Sequence, residues 1–157
     1  MDSDVAALNA RQEVADLITR IFVSTDERRW EDVADCFAPK VLFDMSSLGG
    51  GRASRTTPKK ITDQWESALR GLTATHHQIG NLLVSVDGEE AGAFCYGTAT
   101  HFFSNPTGEN VHTFVGTYDF HLSRHGGGWS IDAFRFNLKY QEGNLLLSDL
   151  AKRAARR

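Results

Sequence analysis

Between residues 76 and 140 the chain has four runs of strand length, 76–86, 93–103, 111–122 and 129–140. Three turn signals separate them: Asp87-Gly88, the segment 104–110 (SNPTGEN), and 125–128 (HGGG). A strand sends successive side chains to opposite faces, so each run buries one face only. Consecutive strands with connections this short pair antiparallel with their neighbours, which predicts a meander. The fourth run changes phase. Trp129 and Ile131 are apolar at odd positions, Phe134, Phe136 and Leu138 at even ones. One extra residue near Ala133, a β-bulge, accounts for the switch and bends the strand. A bent sheet wrapped round helices makes a cone open at one end.

The first half of the chain supplies the helices. Val14, Leu17, Ile18, Ile21 and Phe22 form the i, i+3, i+4, i+7, i+8 stripe of a half-buried helix over residues 5–26. Continuing the stripe in steps of four puts Asp26 one turn beyond Phe22 on the buried side. A second short helix carries Trp30, Val33, Ala34 and Phe37 on one face, and Pro39 is expected to end it. Residues 41–45 read as a short strand and 46–56 (SSLGGGRASRT) as loop, in which Gly49–Gly51 read as a flexible stretch with the role of a lid. Thr57 suits an N-cap and Pro58 the first helical position. Ile61, Trp65, Ala68, Leu69 and Leu72 are the stripe of that third helix. Residues 144–155 read as a terminal helix. Helices followed by strands indicate an α+β class. The 157 residues fit one domain, with a core of about 5–141 and a tail of 142–157.

Composition narrows the function. No apolar run approaches the ~18 residues of a membrane span. Residues 1–10 lack the basic start and apolar stretch of a signal peptide. Formal net charge is -3, which argues against nucleic acid as a partner. The segment KRAARR holds four of the 17 basic residues and reads as a solvated end. Cys36 and Cys95 have no CxxC spacing and read as two buried thiols, so a cytoplasmic location is expected. No metal-ligand spacing is present, and no cofactor is expected.

The second strand row Ala93, Cys95, Gly97, Ala99, His101, Phe103 is small in its middle. The third strand has His112, Phe114, Gly116, Tyr118 and Phe120 on one side. Small inward residues leave a volume that either a bulky helix residue, such as a tryptophan, or a ligand must fill. Apolar walls with a few polar groups describe a small-molecule site. Of six histidines, His125 falls in a turn, His121 reads as surface, and His112 fits either face. His101 and the His76–His77 pair remain. Asp26 caps the second helix, or else takes a histidine partner, because a buried carboxylate is costly alone. A carboxylate–imidazole pair of that kind is general acid–base equipment.

Four segments carry a resemblance: STDERRWEDVADCFAPKVLFD (24–44), HHQIGN (76–81), VDGEEAGAFCYGTATH (86–101) and GGGWSIDAF (126–134). They resemble the SnoaL-like group of the nuclear-transport-factor-2-like superfamily, and within it the scytalone dehydratases most. The resemblance implies a cystatin-like α+β roll: a cone-shaped, curved mixed or antiparallel sheet around N-terminal helices, with an apolar cavity. It also implies a catalytic set of Asp26, His77 and His101, and it selects His77 over His76. Two substrate-holding tyrosines of those enzymes are replaced here by Thr25 and Met45, and a serine and an asparagine by Gly116 and Tyr118. The residues expected around a small hydrophobic substrate are Tyr118, Asn81, Met45 and Phe114, with Phe136, Leu138 and Trp65. The expected activity is cofactor-independent elimination of water from a β-hydroxy carbonyl or polyketide-like compound. His77 removes the proton and returns it to the leaving hydroxyl; Asp26 and His101 hold it; Tyr118 or Asn81 donates to the enolate oxygen. A cyclase or isomerase in the same cavity is the nearest alternative. A non-catalytic ligand-binding or assembly module is the rival, and it would leave Asp26 facing solvent. Thr98, Thr100, Thr113, Val115 and Thr117 make a β-branched outer face, on which a homo-oligomer is expected.

Overall fold

The computed structural model describes residues 2–106 and 108–157; Met1, and Thr107 of the expected 104–110 loop, lie outside the description. The elements run α1 (Asp2–Asp26), α2 (Trp30–Asp35), β1 (Phe37–Asp44), a 3-10 turn (Ser46–Leu48), β2 (Ser54–Thr56), α3 (Pro58–Leu69), β3 (Ala74–Asp87), β4 (Glu90–Phe102), β5 (Val111–His125), β6 (Gly128–Gly143) and α4 (Leu147–Ala155). Six strands form one sheet in the order β2-β1-β6-β5-β4-β3. The meander β3 to β6 is antiparallel throughout. β1 joins it parallel to β6, which makes the sheet mixed and the fold α+β. No helix among the described residues is long and apolar enough to cross a membrane.

The apolar stripe of α1 is buried as its spacing requires: Val14, Leu17, Ile18, Ile21 and Phe22 all face the core. Each such side chain contributes roughly 1.5–3 kcal/mol of transfer free energy. α3 starts where its cap directs, with Thr57 Oγ1 accepting the Lys60 N–H and Pro58 in the first turn. Ile61 and Leu69 are buried, and the Trp65 ring lies 5.5 Å from Phe134. Ala68 is exposed.

Three register shifts bend the antiparallel meander over these helices. His121 pairs with Ala133 and Leu122 with Ile131, so Asp132 is the extra residue that the phase change demands. Lys139 is a second, between Val115↔Tyr140 and Gly116↔Leu138. In β3 a third lies between Gly80 and Leu83, where Asn81 takes φ +52°. A bulged residue there needs the left-handed region, which asparagine tolerates.

Two expectations for the segment after α1 fail. α2 ends at Asp35, and Phe37 opens β1 by pairing with Ile131. Pro39 lies inside that strand, in the irregular stretch between the Phe37 and Leu42 pairings. There no ladder hydrogen bond is asked of it, so proline is accommodated. The expected 46–56 loop contains the 3-10 turn and the short strand β2, which pairs antiparallel with β1 and leaves 49–53 as loop. A three-residue edge strand is too short to show an alternation in sequence.

Candidate active site

Asp26 is the last residue of α1, and the chain turns sharply after it, with Arg28 at φ +60°. Asp26 does not cap α2, whose N-cap is Arg29 without a side-chain bond. It reaches instead to β3. Asp26 Oδ2 accepts the main-chain N–H of His77 at 2.7 Å, and Oδ1 meets His77 Nδ1 at 2.6 Å. Thr75 Oγ1 donates to Oδ1 at 3.0 Å and accepts from Arg28 Nη1 at 2.8 Å. Arg28 Nη1 also donates to the Thr25 carbonyl. The aspartate thus fixes both the ring and the backbone of His77, while Thr75 ties it to a guanidinium. The side chains of His77 and Asp26 are 14% and 17% exposed.

Burial works against ionisation of Asp26, but the hydrogen bonds from His77 and Thr75 and the attraction of His77 outweigh it and hold the carboxyl below its usual range. An ionised carboxylate only accepts, so His77 Nδ1 carries a proton. In the neutral ring Nε2 is then bare, which is the state of a general base. Phe22 stacks on the His77 ring at 5.6 Å. The His101 ring centroid is 6.4 Å from that of His77, with no hydrogen bond between them among the described residues. Burial first, then the charges of His77, His112 and Arg28, push the His101 pKa down to about 3, so its ring is neutral at pH 7. The expectation that His101 grips His77 is corrected on this point: the two rings are neighbours, and His101 keeps its own nitrogens for other partners.

These groups open into a cavity of about 260 Å³. Met45, Trp65, Phe114, Tyr118 and Phe136 line it, with His77 and His101. Phe22, Thr25, Leu48, Phe134 and the α4 flank Leu145 and Ser148 complete much of the wall. The space vacated by glycine is filled by rings of the sheet itself, and no tryptophan enters it. A Cβ on Gly97 would lie 2.2 Å from the Tyr118 ring, and one on Gly116 2.8 Å from Phe136. Tyr118 is buried, which pushes its hydroxyl well above the usual range and keeps it protonated as a donor.

Two expected substrate contacts are corrected. Asn81 is exposed at the β3 bulge and does not line the cavity. Leu138 packs half-buried against the core and is not among the residues lining the cavity. His76 is exposed and His125 lies at the turn. His121 is half-buried on the outer face, paired through Nδ1 with Asp132 at 2.5 Å. A wider, shallow groove of about 600 Å³ on that face, lined by Lys40, Arg55 and Asp132, contains none of the Asp26–His77–His101 set. Sequence reasoning missed Thr75 and Arg28, and left His112 open. Thr75 stands two residues before His77, on the same side of β3, and that spacing was the available signal. Cys36 and Cys95 are free and buried, and burial raises their thiols to about 11 and about 12, so they are not thiolates. Among the described residues no group of three His, Cys, Asp or Glu side chains is placed to hold a metal ion.

The family model for the SnoaL-like domain matches residues 6–135. The chain belongs to the SnoaL-like domain family. The match runs from within α1 through the first half of β6, and so includes Asp26, His77 and His101. A curated relative, the uncharacterised protein Rv2910c of Mycobacterium tuberculosis (strain ATCC 25618 / H37Rv), is 32% identical over 92 residues, 57% of this chain. The SnoaL-like chain spans 58% of that relative's length. Among solved structures, the Kfla4162 protein from Kribbella flavida superposes with a TM-score of 0.83 at 22% identity, covering 93% of this chain and 99% of that one. A candidate scytalone dehydratase from Novosphingobium aromaticivorans DSM 12444 gives 0.76 at 14% identity over 87% and 89%. Hexachlorocyclohexane dehydrochlorinase LinA-type3 from Novosphingobium barchaimii LL02 gives 0.76 at 15% over 90% and 94%. At these identities the structural likeness shows that the SnoaL-like chain shares their fold.

Proposed function

We propose that this SnoaL-like protein is a cofactor-independent lyase that eliminates water from a small hydrophobic β-hydroxy carbonyl compound. The observation that carries the reading is the Asp26–His77 pair: a carboxylate that orients an imidazole so that its bare nitrogen faces an apolar cavity. A binding module has no need of that arrangement, and its expected sign, Asp26 turned to solvent, is not what the structure has. Two proteins of the same fold are named for eliminations, of water and of hydrogen chloride.

In this reading His77 Nε2 removes the proton beside the substrate carbonyl. Asp26 stabilises the imidazolium, whose Nε2–H then protonates the leaving hydroxyl as the carbon–oxygen bond breaks. The electron pair of the C–H bond becomes the new double bond by way of the enolate, and water departs with both atoms it needs. Proton and hydroxyl leave from one face, so one imidazole serves both steps. Tyr118, now without Asn81, is the donor for the enolate oxygen, directly or through a water. Such a donor is typically worth ~2.7–4 kcal/mol in the transition state.

The test uses 4-hydroxy-4-phenylbutan-2-one, a neutral β-hydroxy ketone whose product is a conjugated enone with strong ultraviolet absorbance. The wild type is expected to form the enone catalytically, and His77→Ala to lose at least a hundredfold of that rate while keeping its fold. Equal rates in the two proteins would remove His77 from the chemistry.

A further inference from the structure

A second polar cluster in the cavity joins His101 to a histidine outside the expected catalytic set. His112 on β5 stands directly opposite His101 on β4 in the strand register. Their ring centroids are 6.4 Å apart, and Phe114 packs against both, at 4.1 Å from His112 and 5.0 Å from His101. His112 is 7% exposed. Its Nε2 meets the Gln141 carbonyl oxygen Oε1 at 2.8 Å. That oxygen only accepts, so Nε2 holds the proton and Nδ1 is a bare acceptor in the neutral ring. Nδ1 of His112 and both nitrogens of His101 have no hydrogen-bond partner among the described residues. Buried polar groups are rarely left so. Neither ring is among the sealed, unpartnered side chains of the core, Ser24 and Trp129, so their free nitrogens remain open to a ligand in the cavity that both histidines line.

The remaining electrostatics of the wall are neutral. Among the described lining residues there is no lysine, arginine or carboxylate. The nearest ions are Asp26 and Arg28, which offset one another through Thr75. A fixed charge for an anionic ligand is therefore lacking, and burying an uncompensated carboxylate is costly.

We propose that His101 and His112 form a paired-imidazole site for one hydroxyl group of a neutral, otherwise apolar substrate, separate from the atoms on which His77 acts. A hydroxyl donates its proton to His112 Nδ1 and accepts the N–H of His101. A carbonyl or carboxylate oxygen only accepts, and so would face the bare His112 Nδ1 without a bond. The cavity volume, roughly nine waters, suits a body of one or two fused rings between Trp65, Phe114 and Phe136. Gln141 is the positioning residue, since it sets which nitrogen of His112 is bare. This assignment rests on the reading of the cavity as the substrate site and names the class of molecule it takes.

The probes are three compounds of one shape that cannot undergo elimination: indane, 5-indanol and indane-5-carboxylate. Their dissociation constants are measured by titration calorimetry at pH 7 on the whole chain. The expected ranking is 5-indanol about tenfold tighter than indane, with the carboxylate weakest. His112→Leu is expected to abolish the tenfold preference for 5-indanol over indane. Equal affinity for 5-indanol and indane in the wild type, preference for the carboxylate, or binding of none of the three overturns the proposal. The wild-type ranking decides the matter by itself should the variant not fold. Because no probe carries a leaving group, a failure here leaves the elimination test standing, and a failure of that test leaves the hydroxyl preference to be read.

Discussion

Asp26 is one carboxylate serving two elements. It ends α1 and, through three hydrogen bonds, fixes His77 and Thr75 on β3. Asp26→Asn keeps an acceptor for the His77 main-chain N–H but removes the charge that stabilises the imidazolium. The expected loss is about 10²–10⁴-fold in kcat, against about 1.5–3 kcal/mol of stability. Steady-state kinetics beside urea unfolding separates the two; a normal rate with a large stability loss would make Asp26 a structural residue only. His101 makes a prediction about pH. Its folded pKa is depressed to about 3, while the unfolded side chain titrates near ~6.5. Between those values the unfolded state binds the extra proton, so this contribution is fully present above pH ~6.5 and declines as pH falls toward 3, by at most about 1.4 kcal/mol per pH unit. Asp26 acts further down: its lowered pKa gives stability that is present above the ordinary carboxylate value and lost below it. His101→Phe is therefore expected to flatten the stability curve between pH 6.5 and pH 4 while leaving the steeper loss below it. An unchanged slope in that window would show that His101 is not buried as a neutral ring.

At the scale of elements, the legible parts were those with a local cause. The α1 stripe, the Thr57-Pro58 start of α3, the Asp87-Gly88 turn and the bulge beside Ala133 each follow from spacing or from one residue's backbone preference. The illegible parts depend on a partner that is distant in the chain. Pro39 stops a helix by local rules, yet here it sits in a strand because β6 supplies the pairing at Phe37 and Leu42. β2 exists because β1 offers an edge. Asn81 looked like a site residue through its place beside the HHQIG segment, and its left-handed backbone shows it serving the β3 bulge. The packing of α4 supplies a further prediction. Leu147 and Ala151 are fully buried, and Ser148 donates to the Ala68 carbonyl across from α3. Gly71, at φ +83°, makes room for this: a Cβ there would lie 2.4 Å from the Ala151 carbonyl oxygen. Gly71→Ala combines backbone strain with a clash and is expected to cost about 1–3 kcal/mol. A denaturant midpoint equal to that of the wild type would show that α4 is not held against this turn.

For the whole molecule, the curved sheet brings α1, β3 and β4 together so that His77 and His101 line one apolar cavity, with Asp26 bonded to His77 beside it. Asp26 and His77 were readable as candidates from the stripe of α1 and the SnoaL-like segments. Their pairing was expected through the SnoaL-like resemblance alone, since no local pattern says that the end of α1 lies over β3. His112 was left open in the sequence because a histidine at a strand start satisfies either face, and only the register opposite His101 decides it. The central claim is that His77, held by Asp26, acts as a base on a carbon acid inside this cavity. Its most direct test is hydrogen–deuterium exchange at the carbons beside the carbonyl of 4-phenylbutan-2-one, followed by proton NMR in deuterated buffer at neutral pH. This ketone has no leaving group, so only proton removal is read. The account predicts exchange catalysed by the wild-type protein and reduced at least a hundredfold in His77→Ala; exchange at the same rate in both proteins, or none above buffer in the wild type, would contradict it.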